Sequence, residues 1–339
     1  MSRSQSSKAF TLLELLVVLG IVALLVGLLV PAIQKARDAA NRAQCSGNIR
    51  QIGIAFLHYL DLNNKMPHNG DFKLGGSGLY LPNSWSALAR FLPLIEQENL
   101  FRGIDFDEGF WTRPEITSCR IPSFLCPSEI NDRGNGSAPL LNHRYWPANY
   151  ALNLGTWPVL TNKAGVMLTG DGAFGPNRSY RAPDFTDGMS NTLALAEVVA
   201  YTPRVQAVDP RRVFPVPPAA PNSVSALAAL NSGEVTPDIP SHTAWAVGLA
   251  QETGFTTTFT PNAKVRFPPG PEGVDADFVT TMEHQPGDTY AAITSRSYHS
   301  GGVNVLMLDG SGRFVSDKIG LSVWRALGTR SGGEVVEAP

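Results

Sequence analysis

The sequence has few cysteines, a nearly balanced charge and none of the short motifs that mark common enzyme classes. Its 339 residues include 3 cysteines and no C-x-x-C pair, which excludes a disulfide-rich scaffold and a four-cysteine zinc site. Lys and Arg total 27 against 29 for Asp and Glu, and the absence of a long basic run argues against nucleic-acid binding. Because G-x-S-x-G, H-E-x-x-H and P-loop patterns are also missing, we expect no enzymatic activity, no cofactor and no metal.

A long apolar run near the N-terminus is the strongest feature that is present. Phe10 to Ile33 comprises 24 residues with a single charge, Glu14. As a helix rising about 1.5 Å per residue, this run can cross a hydrocarbon core of roughly 30 Å. A secretory signal peptide is the alternative, but its apolar core is about 7 to 15 residues and ends at a small-x-small site. Here Gln34-Lys35 follows, so a membrane-spanning helix is predicted over residues 10–33.

The residues that open this run resemble the N-terminus of type IV prepilins. A short polar segment, residues 1–9, precedes Phe10-Thr11-Leu12-Leu13-Glu14 and the unbroken apolar stretch. In that family a membrane-embedded aspartyl peptidase cuts before the Phe, and the new amine is methylated. The resemblance therefore implies a leader over residues 1–9, cleavage between Ala9 and Phe10, and N-methylation of Phe10. The family usually has Gly before the cut, where this chain has Ala9.

The same resemblance gives roles to Glu14 and Pro31. An acidic residue in an apolar helix needs a partner, and the family's glutamate at this place pairs with the N-terminal amine of an adjacent subunit in a helical filament. Pro31 stands where many pilins have a helix bend. Basic residues on both sides of the span leave its orientation open. The resemblance places the leader in the cytoplasm and the remainder outside, as a single-pass protein of the inner membrane, with prepilin peptidase and other pilin-like subunits as partners.

A second helical pattern follows the span over residues 34–62. Its apolar residues recur at steps of three and four, which predicts an amphipathic helix: Ala36, Ala39, Ala43, Ile49, Ile52, Phe56 and Leu60. Joined to the span it would form one helix of about 50 residues. Two helices with a hinge at Pro31 fit the same pattern, because proline removes one backbone hydrogen bond without forbidding continuation.

The remaining chain, residues 63–339, predicts a β-rich domain with short helices, and the resemblance to prepilins places this domain outside the cytoplasm. Ser84 to Phe101 indicates either two short helices or one that is kinked at Pro93. Residues 203–273 contain a Pro-rich stretch and little periodicity, which indicates an extended surface insertion. Turn signals separate short predicted strands, at Ile121–Leu125, Tyr145–Leu152, Gly165–Leu168 and Thr192–Val199. The predicted fold class is α+β and pilin-like, a long N-terminal α-helix packed on an antiparallel β-rich globular head.

The C-terminal block predicts a buried strand over Val303–Leu308, a turn at Asp309-Gly310, a return strand and a helix capped by Asp317. Together with the segments QCSGNIRQIGIAFLHY, FLCPSE and DGMSNTLALAE, it resembles a prepilin-like group classed as domain of unknown function 1559. Its members have an N-terminal cleavage and methylation signal and a C-terminal motif of His, nine residues and Asp-Gly. Here that motif is His299, Asp309 and Gly310. Because a strand of six residues spans about 20 Å, we expect a structural role for the motif rather than catalysis or ligand binding.

Two of the three cysteines lie in segments that carry this resemblance. Cys45 belongs to QCSGN and Cys126 to FLCPSE, whereas Cys119 lies in neither. Disulfide bonds persist outside the cytoplasm. The resemblance thus favours a Cys45–Cys126 bond, with Cys119–Cys126 as the alternative.

Two functions remain open at this point. The first is a subunit of a type IV pilus or a type II secretion pseudopilus-like assembly. The second is a membrane-tethered solute- or ligand-binding module that does not polymerise, a role suggested for this domain family by name. The sequence does not distinguish a pilus, a pseudopilus and a single anchored protein, and it identifies neither a ligand nor a partner subunit.

Overall fold

A computed structural model describes residues 12–74, 80–82, 84–138, 143–163, 166–206, 218–229, 235–283, 285 and 287–334. The predicted leader and the cleavage site at Ala9 and Phe10 lie outside the described residues. The chain divides into two compact units, residues 1–43 and residues 44–339. We call the second unit the head.

The N-terminal helix is the longest element. Helix α1 runs from Leu12 to Asn63, with Pro31 inside it and Glu14 in its first turn. The prediction of one helix of about 50 residues is confirmed, since the structure has no break at the proline. The other helices are short: α2 Ala87–Phe91, α3 Glu98–Phe101, α4 Pro114–Thr117, α5 Val224–Ala229, α6 Ala250–Thr253 and α7 Leu321–Gly328.

Strands make up most of the regular structure of the head, which confirms its predicted β-rich character. In chain order they are β1 Phe72–Leu74, β2 Tyr80–Pro82, β3 Asn135–Ala138, β4 His143–Tyr145, β5 Tyr150–Asn153, β6 Pro158–Lys163, β7 Val166–Thr169, β8 Leu193–Glu197, β9 Thr202–Gln206, β10 Val235–Ser241, β11 Gly254–Phe255, β12 Arg266–Phe267, β13 Val274–Asp275, β14 Asp277–Val279, β15 Thr289–Ala292, β16 Gly302–Met307 and β17 Gly312–Ser316.

Two sheets contain eleven of the described strands, and the other six strands form three two-stranded sheets, β1-β2, β3-β4 and β12-β13. One has five strands in the order β11-β5-β8-β16-β17, and the other has six in the order β10-β9-β14-β15-β6-β7. Pairing between the described strands is antiparallel except at β11 with β5 and at β14 with β9. Strands β5, β8 and β16 are buried along their whole length, so the five-stranded sheet has its centre in the protein core.

Within the head, the last part of α1 packs against the five-stranded sheet. One face of the helix is fully buried, with Ile49, Ile52 and Phe56 in the main core. Gly53 is on this face, and a Cβ atom there would lie 2.6 Å from Leu306 Cδ1 of β16. The absence of a side chain at Gly53 thus lets helix and strand approach closely.

The region predicted as a surface insertion contributes to the core instead. Strand β9 joins the six-stranded sheet, and Val205, Leu227 and Phe267 belong to a second apolar cluster around Trp157 and Phe278. Spacing could not show this, because strands of two to seven residues are too short for a recognisable alternation. The expectation of an extended surface insertion over residues 203–273 is therefore wrong for its described part.

Three local predictions also differ from the structure. Residues Pro122–Phe124 form a 3-10 turn rather than a strand, because proline cannot donate to a strand ladder. The strand predicted over Tyr145–Leu152 divides into β4 and β5 around Pro147. Helix α7 begins at Leu321 with Gly320 as its N-cap, so Asp317 does not cap it.

Candidate functional site

The first candidate for function is the apolar part of α1. Residues 12–40 are all exposed, and among the described residues this is the one helix long and apolar enough to cross a membrane. An exposed helix that is apolar on all sides is stable in lipid and unstable in water, because its surface has no protein partner there. The helix therefore supplies a membrane anchor. Glu14 lies in the first turn of its described part.

The second candidate is the His299–Asp309 motif in the head. The motif begins in the loop between β15 and β16 and ends at the turn that joins β16 to β17. His299 and Asp309 thus stand at opposite ends of a six-residue strand, and the structure does not bring them together. Their separation, about 20 Å along the strand, leaves the two residues in unrelated surroundings.

His299 is buried among groups that the sequence keeps far apart. Its side chain is 4 % exposed, and Nε2 lies 3.4 Å from Glu197 Oε1. The same nitrogen lies 3.5 Å from Cys126 Sγ. The loop that places it is fixed by Ser297, whose Oγ accepts from the His299 backbone N–H and donates to the Gly302 carbonyl. The histidine is thereby held against β8 and the FLCPSE segment.

Glu197 is the partner of His299 that sequence reasoning missed. It closes β8, and its carboxylate accepts two hydrogen bonds from Asn304 of β16, at 2.8 Å from the backbone N and 2.9 Å from Nδ2. The signal for it was its place at the end of the family-like segment DGMSNTLALAE. Because Glu197 and Asn304 are 107 residues apart in the sequence, no local spacing could reveal their hydrogen bonds.

Cys45 and Cys126 are joined by a disulfide bond in the structure. Asn149 Oδ1 accepts from the Cys126 backbone N–H at 3.0 Å, and Tyr150 Oη donates to the Cys45 carbonyl at 3.2 Å. Cys119 has a free thiol. The bond links α1 to the FLCPSE segment and leaves the alternative Cys119–Cys126 pairing unformed.

The Asp309-Gly310 end of the motif forms the turn between β16 and β17. Asp309 Oδ1 accepts from the Ser311 backbone N–H at 2.8 Å, and the Asp309 N–H donates to the Met189 carbonyl at 3.1 Å. Gly310 has a φ of +83°, and a Cβ atom there would lie 2.5 Å from Leu57 Cδ1 of α1. Both the turn and the packing of the helix beside it therefore require glycine.

Gly310→Ala should destabilise the head more than Gly301→Ala. Gly301 has nearly the same φ, +85°, but nothing lies within 4 Å of its Cβ position. We expect a loss of about 1 kcal/mol at Gly301 from left-handed strain alone, and about 2 kcal/mol at Gly310, where Leu57 must also move. Urea unfolding followed by tryptophan fluorescence measures both, and equal losses would show that the contact with α1 contributes nothing.

A cluster of buried charges is the other feature that the sequence did not reveal. Asp277 of β14 is fully buried and pairs with Arg296, and its Oδ2 lies 3.5 Å from His242 Nε2. Although burial opposes ionisation, Arg296 and His242 hold the pKa of Asp277 below its usual value. Arg204, also buried, lies near Asp277 and the carboxylates of Glu252 and Glu283, and burial lowers its pKa.

Glu283 is a member of this cluster whose ionisation makes the stability of the head depend on pH. Burial raises the pKa of Glu283 to about 7, and hydrogen bonds from backbone N–H groups offset only part of that effect. A carboxyl group whose pKa is raised by folding stabilises the folded state below its unfolded pKa, near 4.5. That stabilisation is lost as the pH rises through about 7, at a cost of roughly 3 kcal/mol.

Glu283→Gln should therefore remove a pH-dependent loss of stability. The amide resembles the protonated acid, so the variant lacks the decline between pH 4.5 and 8 that Glu283 causes in the parent. Urea unfolding at a series of pH values measures the difference between the two proteins. Glu98→Gln changes an exposed carboxylate and serves as the control. A constant difference between parent and Glu283→Gln across this range would contradict the assignment.

A cleft of about 220 Å³ opens beside the charged cluster. Arg204, Gln251 and Glu252 supply polar groups to it. Its other described lining is mostly apolar, with Phe110, Tyr145, Ala244, Val247, Leu249 and Met282. Part of this lining comes from the region 203–273, and none of it comes from His299 or Asp309. Apolar walls with a few converging polar groups are the usual form of a small-molecule site.

Two family models match the chain, one over the N-terminal apolar segment and one over most of the remaining residues. A family model for the prokaryotic N-terminal methylation motif matches residues 4–30, and a model described as protein of unknown function (DUF1559) matches residues 34–322. No curated protein and no solved structure matches the chain. The methylation motif implies processing by a prepilin peptidase, and with the apolar helix it defines a prepilin-like, membrane-anchored protein. Since the second match covers most of the residues, the chain belongs to the DUF1559 family of proteins of unknown function.

Proposed function

We propose that the chain is a subunit of a type IV pilus or a type II secretion pseudopilus-like assembly. A prepilin peptidase would remove residues 1–9, and the new amine of Phe10 would be methylated. The processed protein would then reside in the cytoplasmic membrane, with the head on the extracytoplasmic side, before its helix joins the assembly. The proposal assigns no enzymatic activity to the head.

The observation that carries this proposal is the combination of the exposed apolar part of α1 with one acidic residue near its start. A carboxyl group within an apolar span costs up to ~3 kcal/mol, and membrane anchoring alone does not require one. In a helical assembly the same group would set the register by meeting the N-terminal amine of a neighbouring subunit. The methylation motif over residues 4–30 supports this use of the segment.

The intact mass and N-terminal sequence of the protein isolated from its own membrane test the proposal. We expect a mature chain that begins at N-methylated Phe10. Ala9→Gly, which restores the residue usual in the family, should be processed at least as fully. Ala9→Arg should retain the leader, because the bulky charge replaces the small residue before the cut. A parent chain that keeps Met1 to Ala9 would contradict the proposal.

A tethered binding module is the second candidate, and the cleft beside Arg204 favours it. A volume of about 220 Å³ would fit a small solute with one or two polar groups. We would screen amino acids, short peptides and small sugars for a rise in Tm of the full-length protein in detergent. A compound that stabilises the parent but not Met282→Trp, which fills the cleft, would support this function. The absence of any such compound from these classes would count against it.

A further inference from the structure

Four side chains of metal-binding type meet in the interior of the head. Cys45, Cys126, Glu197 and His299 each offer a ligand atom, and these atoms all lie within 4.8 Å of one another. All four residues are buried. They come from α1, the FLCPSE segment, the end of β8 and the loop before β16. Since four separate elements supply them, the packing of the whole head holds the cluster in place.

The distances from His299 already suit tetrahedral coordination. Zinc lies about 2.3 Å from thiolate sulfur and about 2.0 to 2.2 Å from imidazole nitrogen or carboxylate oxygen. In a tetrahedron with these bond lengths, neighbouring ligand atoms are about 3.3 to 3.8 Å apart. His299 Nε2 lies 3.4 Å from Glu197 Oε1 and 3.5 Å from Cys126 Sγ. These two distances between ligand atoms therefore already match those of a tetrahedral zinc site.

The carboxylate in the cluster also has the support that metal ligands usually have. Asn304 donates to both oxygens of Glu197, which fixes the orientation of the group toward His299. Hydrogen bonds of this kind orient ligands and strengthen metal binding. In the disulfide form the buried His299 Nε2 lies between the Glu197 carboxylate and the Cys126 sulfur, which is a weak hydrogen-bond acceptor.

We propose that Cys45, Cys126, Glu197 and His299 form a Zn²⁺ site when the Cys45–Cys126 disulfide is reduced. A dithiol reductant supplies two electrons and two protons and becomes a disulfide, while the S–S bond opens to two thiols. Zn²⁺ then displaces the two thiol protons and binds two thiolates, the imidazole and the carboxylate. The disulfide and the metal are alternative links between α1 and the FLCPSE segment, and this inference does not depend on assembly.

Metal titration of the full-length protein in detergent tests the site, with Co²⁺ as a coloured probe. The protein is reduced with a phosphine, freed of reductant without oxygen, and titrated. The reduced parent should bind one Co²⁺ per chain with the absorption of a tetrahedral thiolate site, and Zn²⁺ should displace it. The oxidised parent should bind none at the same concentrations. Absence of this absorption in the reduced parent would overturn the proposal.

Variants distinguish metal binding by the four-residue cluster from metal binding by the thiols alone. His299→Ala and Glu197→Gln should each weaken binding at least 10-fold, while His58→Ala, an exposed histidine of the same helix α1, should leave it unchanged. Near-UV circular dichroism checks folding: Zn²⁺ should preserve or restore the parent's signal after reduction. Equal affinity in His299→Ala and the parent would overturn the site, as would a reduced head that unfolds and stays unfolded with Zn²⁺.

Discussion

Replacing both Cys45 and Cys126 by alanine should lower the free energy of unfolding of the head by roughly 4 kcal/mol. The disulfide closes a segment with a sequence separation of 81, and a link over that length greatly restricts the unfolded chain. All six tryptophans lie in the head, so their fluorescence reports its unfolding in urea. The measurement uses the full-length protein in detergent under non-reducing conditions.

Cys119→Ala provides the matched control for this prediction. Its thiol is free, and its Sγ donates a hydrogen bond to a local carbonyl, that of Glu115. We expect a change of less than about 1 kcal/mol and the complete loss of thiol labelling. A Cys119→Ala protein that lost as much stability as the double variant would show that Cys119 takes part in the bridge.

Glu14→Leu should strongly reduce assembly while leaving the protein in the membrane. The leucine makes the helix more apolar, so insertion is retained. The variant lacks the carboxylate that would pair with the N-terminal amine of the next subunit. In a medium of low dielectric constant an unpaired amine is unfavourable, so each contact between subunits is weakened. We expect at least a 10-fold fall in the assembled fraction. Shearing and sedimentation, followed by immunoblotting, measure that fraction.

Asp38→Leu is the control for the loss of an acidic residue from the same helix. Asp38 is exposed and lies beyond the apolar run, so assembly should continue. The intact mass of each variant verifies that the leader has been removed, which separates a failure of processing from a failure of assembly. Normal assembly of processed Glu14→Leu would contradict the proposed role of the carboxylate.

Features that repeat along the chain were predictable from the sequence. Apolar runs and steps of three and four gave α1 nearly to its ends, because helix formation depends on neighbouring residues. The strand and turn of the C-terminal motif were predictable for the same reason, since Val303 to Leu308 is a short apolar run that ends at Asp309-Gly310. The resemblance to a family, rather than any spacing, indicated the pairing of Cys45 with Cys126.

Contacts between distant segments were not predictable in this way. Glu197 meets His299 only because β8 and β16 are neighbours in the sheet, and strand order cannot be obtained from periodicity. The expectation of a surface insertion over residues 203–273 is wrong for a related reason. Its residues fill the core through short segments, such as β9 and the buried run Thr256 to Phe259, whose partners lie elsewhere in the chain.

The disulfide between α1 and the FLCPSE segment also decides how the protein responds to mechanical tension. A pull applied along the N-terminal helix reaches Cys45 and passes through the covalent bond to Cys126. The chain between the two cysteines then carries no load and does not extend. If it were free to unfold under tension, it would add roughly 280 Å to the length of the protein. Helices α2 to α4 lie in that shielded stretch. Under tension between α1 and the C-terminus, the strands that follow Cys126 would thus yield, while residues 46–125 stay closed.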